Sequence, residues 1–168
     1  MDKEQVFSKV ASAFEQESFP HDAQLYISSA NHIFDVEVAT ENLTFEHWNQ
    51  IPLENLNKNR DRISYLTEVG FRFLLPAFLT AAIMYPREVD IMVDNIIFAL
   101  TPPDSSEEHH YDSFMKRARL LSALQIEAIL AFFESYTEIY PVNEWSFSAM
   151  DKERNQRAIQ FWGSLLSS

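Results

Sequence analysis

A chain of 168 residues that is 46% hydrophobic and 14% aromatic can bury a sizeable core, which excludes a largely disordered protein. It has no cysteine and only two glycines, Gly70 and Gly163, so disulfide frameworks, thiol nucleophiles, Cys-based zinc sites, Walker and Rossmann phosphate loops and the G-x-S-x-G elbow are all excluded. The net charge of −12 disfavours direct contact with nucleic acid or anionic lipid.

The N-terminal stretch MDKEQVFSKVASAFEQES has no uninterrupted apolar run of signal-peptide type. It predicts a helix from Asp2, as cap, to about Ser18, with Val6, Val10 and Ala13 on one face and Phe7 and Phe14 beside them. Residues 24–43 read either as a short strand, where Phe34, Val36 and Val38 alternate with acids, or as a loop followed by a helix starting at Asp35; the second is preferred. LTFEHWNQIPLENLNK reads as short helical turns, with Phe45, Trp48 and Ile51 sharing a face and Pro52 at a first helical position.

SYLTEVGFRFLLPAFLTAAIMYP, Ser64 to Pro86, holds the longest apolar run, the thirteen residues Phe73 to Tyr85. That is short of the roughly 20 needed to cross a bilayer, so no membrane span is expected. Thr67 can cap a helix starting at Glu68, which Pro76 must kink or restart, and Pro86 opens the next helix, marked by Val89, Val93, Ile96, Ile97 and Leu100. TPPDSSEEHH is the clearest loop. Ser122 and Gln125 have capping-box spacing for a helix closed by Pro141, and a last helix is expected to begin at Ser148, with Gly163 just past its end. Helical periods dominate, so the expected class is all-α: one domain over residues 1–168, built of about six or seven helices.

Two clusters carry candidate chemistry. Arg72 sits among Val69, Phe71, Phe73, Leu74 and Leu75, so its guanidinium must find acceptors. Glu68, one turn earlier, is the expected partner, with Tyr65 bracing the same corner; Tyr65, Glu68 and Arg72 form the candidate polar cluster. Glu107, His109, His110 and Asp112 could hold a divalent ion, but a solvated acidic loop is the simpler reading. Asp90 and Asp94 share a helix face without any sign of the pocket that acid–base work requires. No catalytic residue, resident metal or cofactor is assigned.

Leu66, Thr67, Gly70, Phe71, Arg72, Phe73, Leu75, Pro76 and Ala77 make the segment Tyr65 to Ile83 resemble an uncharacterised family of small bacterial proteins with a Leu-Thr-x-x-Gly-Phe-Arg-aromatic-x-Leu-Pro-Ala segment. Weaker similarity extends over most of residues 40 to 135. The resemblance implies a bacterial, cytoplasmic setting and supplies no activity.

Charge is uneven. From residue 10 to 57 there are eight acids and no Lys or Arg, and from 88 to 115 seven acids and none. The leading expectation is therefore a cytoplasmic protein that binds a basic protein partner stoichiometrically, as an inhibitor or immunity-type protein. The alternatives are an enzyme with a polar pocket around Arg72 and a DNA mimic that blocks a nucleic-acid-binding protein. Trp145, Phe147, Phe161 and Trp162 pack either on the core or in a homo-oligomer interface.

Overall fold

The helices begin where the sequence supplies caps. In the computed structural model, which describes residues 1–89, 91–103, 108–140 and 149–167, Asp2 accepts from the Gln5 amide at 2.9 Å while Gln5 Oε1 accepts from the Asp2 amide, opening α1 (Lys3–Ala13). Asp35 accepts from the Val38 amide and opens α2 (Val36–Glu41); α3 (Leu53–Lys58) follows Pro52. Thr67 Oγ1 accepts from the Gly70 amide at 3.0 Å at the start of α4 (Glu68–Met84), and α4 continues through Pro76. Then come α5 (Pro86–Val89), α6 (Ile91–Leu100), α7 (Glu108–Ala118), α8 (Ala123–Glu134), α9 (Tyr136–Ile139) and α10 (Ala149–Leu166). The Ser122–Gln125 capping box forms at the head of α8. Short 3-10 turns cover Ser28–His32, Trp48–Gln50 and Ile63–Tyr65.

The class is all-α, but the described residues hold ten α-helices where six or seven were expected. The surplus is short: α2 and α3 have six residues each, α5 and α9 four. Three boundaries also differ from expectation. α1 stops at Ala13, because buried Phe14 completes its apolar face and the chain then turns so that Glu17 meets Arg72. The helix expected to run to Pro141 is broken at buried Ser135, which caps α8 and starts α9. α10 runs through Gly163 instead of ending just before it, since an α-helix interior tolerates glycine at a modest entropic cost. Two isolated β-bridges, Ser18 with His47 and Tyr26 with Leu66, tie loops together.

α4 is the axis of the fold. Twelve of its 17 residues are buried, and a helix apolar on all sides must be covered on all sides. α1, α3, α5, α6, α7 and the Trp48–Gln50 turn pack on it, while α8 lies against α1 and α10. One core cluster runs from Val6 to Trp162, and Trp162 sits in it beside Phe114. No helix among the described residues is long and apolar enough to cross a membrane.

The C-termini of three helices share a device. α1, α4 and α6 have no basic residue in the last turn, and none of their C-terminal segments ends on glycine, the usual C′ residue. Aromatic donors from distant segments reach their C-terminal carbonyls, in the case of Phe14 O beside the Glu17 amide, which donates to it at 3.0 Å. Trp48 Nε1 donates to Phe14 O at 2.8 Å, Trp162 Nε1 to Leu100 O at 2.8 Å, and the Tyr140 hydroxyl to Ala82 O. Ala82 needs such a donor because its i+4 residue is Pro86, which has no N–H.

Burial raises the hydroxyl pKa of Tyr140 and of Tyr26, whose oxygen donates to Asn59 Oδ1 at 3.1 Å, well above the ordinary value of 10.0. Below pH 10 both rings are neutral folded and unfolded, so folding carries no penalty. Above it the unfolded chain releases protons that the folded chain keeps, so stability falls as pH rises. With both tyrosines acting, the slope should approach about 2.7 kcal/mol per pH unit above pH 10. Urea unfolding at pH 9 and 11 spans the onset, where the two tyrosines should together cost about 2.7 kcal/mol in all, and Tyr140→Phe should halve that loss; an unchanged loss in that variant would refute the assignment.

Candidate functional site

The Arg72 corner is a three-way knot, with a different partner from the one its local sequence suggests. Arg72 Nη2 and Nε reach Glu17 Oε1 at 2.6 and 2.8 Å, and Gln125 Nε2 donates to the same oxygen at 2.8 Å. Glu17 is largely buried and Gln125 almost wholly so, whereas Arg72 keeps part of its guanidinium in water. One carboxylate thus joins the turn after α1 to α4 and α8. Glu68 is exposed and acts electrostatically on Arg117 of α7 instead.

Arg117 organises the other side of this corner. Its Nη2 donates to Leu66 O at 2.8 Å and Ser64 O at 3.1 Å, and its guanidinium lies 5.0 Å over the Phe71 ring. Burial pulls its pKa below the ordinary arginine value, and Glu68 opposes that shift. Tyr65 meets Phe34 edge-on, and its carbonyl accepts from the Ile27 amide at 2.9 Å. The expected trio is therefore split: Arg72 with Glu17, Glu68 with Arg117, Tyr65 with Phe34. Glu17, Gln125 and Arg117 were missed because each acts across more than 50 residues of chain.

Gly70 lies where α4 meets residues 24–26. Thr67 N and Oγ1 both donate to Leu25 O, at 2.8 and 3.3 Å, and a Cβ on Gly70 would fall on that oxygen. Thr67 Oγ1 also donates to Gln24 O at 2.6 Å.

The acidic segment is mostly solvent-facing. Glu15, Asp22, Asp35, Glu37, Glu41, Glu46 and Glu54 are exposed. Glu46 meets His21 at 3.4 Å and Glu54 meets Lys58 at 2.8 Å, whereas Asp35, Glu37 and Glu41 make no ion pair among the described residues. Around them Ile27, Ile33 and Val38 are 39%, 58% and 52% exposed.

A cleft of about 820 Å³ opens between α1, the Trp48–Gln50 turn, α3 and the C-terminal half of α4. Phe7, Leu56, Ala77 and Ala81 line it with apolar surface, and Glu15, Asn49 and Thr80 add polar groups. His47 borders it. Its Nε2 lies 2.8 Å from Glu15 O, which can only accept, so Nε2 carries the proton and Nδ1 accepts from the Asn49 amide at 3.4 Å. A more open depression of about 630 Å³ flanks α1 near Lys9 and Glu127, themselves 3.5 Å apart. Arg72 lines neither.

Of the second expected cluster, Glu107 and the side chain of His109 lie outside the described residues, as do Asp90, Trp145 and Phe147; His110 and Asp112 are exposed on α7. Among the described residues no group of three His, Asp or Glu side chains could hold a metal.

A model of a family of unknown function, DUF6714, matches residues 2–165, well beyond the stretch of 40 to 135 over which the sequence resembles an uncharacterised family. No curated protein and no solved structure matches the chain.

Proposed function

The chain belongs to DUF6714, a family of unknown function, so its role is read from its own surface, and we propose that it acts by stoichiometric binding to a basic protein partner. The observation that carries this reading is the segment from Ile27 to Glu41. Three exposed aliphatic side chains there are interleaved with Asp35, Glu37 and Glu41, carboxylates that find no cation among the described residues. Exposed apolar side chains interleaved along the chain with carboxylates suit a partner with apolar anchors and neighbouring Lys and Arg.

The setting that fits a cysteine-free chain is a reducing bacterial cytoplasm, and the mode of action is that of an inhibitor or immunity-type protein. A nucleic-acid-binding partner would make the protein a DNA mimic. An enzyme centred on Arg72 has less support, because Glu17 already engages that guanidinium.

The test is affinity capture from the native host at low salt, with Glu37→Lys/Glu41→Lys beside wild type and Glu134→Lys, at an exposed position of α8, as control. One stoichiometric partner should be retained by wild type and control, elute as salt rises, and be lost from the double variant. No stoichiometric partner, or one that the double variant keeps, refutes the proposal.

A further inference from the structure

The cleft beside α1 has a chemistry separate from that of the acidic exterior. Its size, about 820 Å³, falls within the range of sites that enclose small organic ligands. Its apolar walls include Phe7, Trp48, Leu56 and Ala81. No Lys or Arg is among the described residues that line it, and its one acidic lining residue is Glu15.

Two further features set the sign of charge at its mouth. Glu15 lies just past the C-terminus of the 11-residue α1, whose last turn carries no basic residue, so the negative end of the helix dipole adds to the carboxylate. Both ring nitrogens of His47 are taken, by Glu15 O and the Asn49 amide, so the imidazole has no free donor to offer an anion.

We propose that this cleft is a binding site for an organic cation: an aromatic or branched aliphatic body lies against Trp48, Leu56 and Ala81, and an ammonium head meets Glu15. The inference does not depend on the protein partner, whose surface was read from Ile27 to Glu41. An inorganic cation would leave the apolar walls unused, and a carboxylate or phosphate would face like charge.

The probes are 4-phenylbutylamine and its neutral and anionic counterparts, 4-phenylbutanol and 4-phenylbutyrate, titrated into the full-length protein at constant ionic strength. Binding is read from amide shifts of Ala77 and Ala81 and from the Trp48 indole N–H. The amine should produce saturable shifts at these residues and bind about tenfold more tightly than the carboxylate, with the alcohol between them. In Glu15→Gln, at an exposed position, the amine should weaken to the alcohol's affinity while the alcohol's own affinity stays the same. Equal binding of amine and carboxylate by wild type, an amine preference that survives Glu15→Gln, or no saturable shift with any of the three overturns the proposal.

Discussion

Gly70→Ala is expected to destabilise the protein by about 3 kcal/mol, while Gly163→Ala is expected to stabilise it by up to about 1 kcal/mol. Both glycines lie in helices, α4 and α10, where alanine has the higher intrinsic propensity. Only their surroundings differ. A Cβ at Gly163 meets nothing within 4 Å, so the propensity gain is felt in full. A Cβ at Gly70 would overlap the Leu25 carbonyl oxygen and come within 2.9 Å of its carbonyl carbon and Cα. Those are backbone atoms, and they cannot step aside cheaply: Leu25 O accepts from the Thr67 amide, and the neighbouring Ile27 amide donates to Tyr65 O. Relief of the clash means breaking the junction that seats residues 24–27 on α4. Urea unfolding of the two variants beside wild type reads the result. A Gly70→Ala protein as stable as wild type would show that this junction yields, and the close approach would then explain nothing about the glycine.

The same corner shows what the sequence discloses. Local signals were readable: the Asp2, Thr67 and Ser122 caps each act within three residues, and each forms as its spacing predicts. The acid-rich, base-free run from 10 to 57 needs only counting. Arg72 was recognisable as a cation in need of an acceptor, because so apolar a context leaves it few alternatives. Its partner was not recognisable. A reader of sequence finds Glu68 one helical turn away, whereas the carboxylate that arrives belongs to Glu17, 55 residues earlier. The cleft was hidden for the same reason: its walls come from four separate segments, and each looks like ordinary core by itself. The ends of α4 and α6 were readable from Pro86 and the TPP turn, but the donors that satisfy their carbonyls were not. A chain with two glycines cannot end its helices in the usual way, and the aromatic donors that replace glycine caps lie far away in sequence.

Trp162 tests that last point most directly. The expected cost is about 4 kcal/mol for Trp162→Ala, and about 2 kcal/mol for Trp162→Phe, which keeps an aromatic ring but removes the indole N–H. The side chain is 1% exposed, packs beside Phe114 and Phe161, and donates to Leu100 O at 2.8 Å. Leu100 ends α6 and is followed by Thr101, Pro102 and Pro103, so two of the next three residues have no N–H to offer. Thr101 turns its hydroxyl back to Ile97 O at 2.7 Å and leaves the Leu100 carbonyl to the indole. The phenylalanine variant removes ring volume as well as the N–H, so β-(3-benzothienyl)alanine at position 162, which keeps the bicyclic ring and lacks only the N–H, separates the two contributions: if packing alone mattered, it would cost well under 1.5 kcal/mol, as volume-conserving core substitutions do. A cost near 2 kcal/mol, with an unchanged denaturant slope, identifies the indole as the C-terminal cap of α6 and the fastener of α10. A negligible cost would mean that the Leu100 carbonyl is satisfied in another way, and that aromatic capping is incidental to how this glycine-poor chain ends its helices.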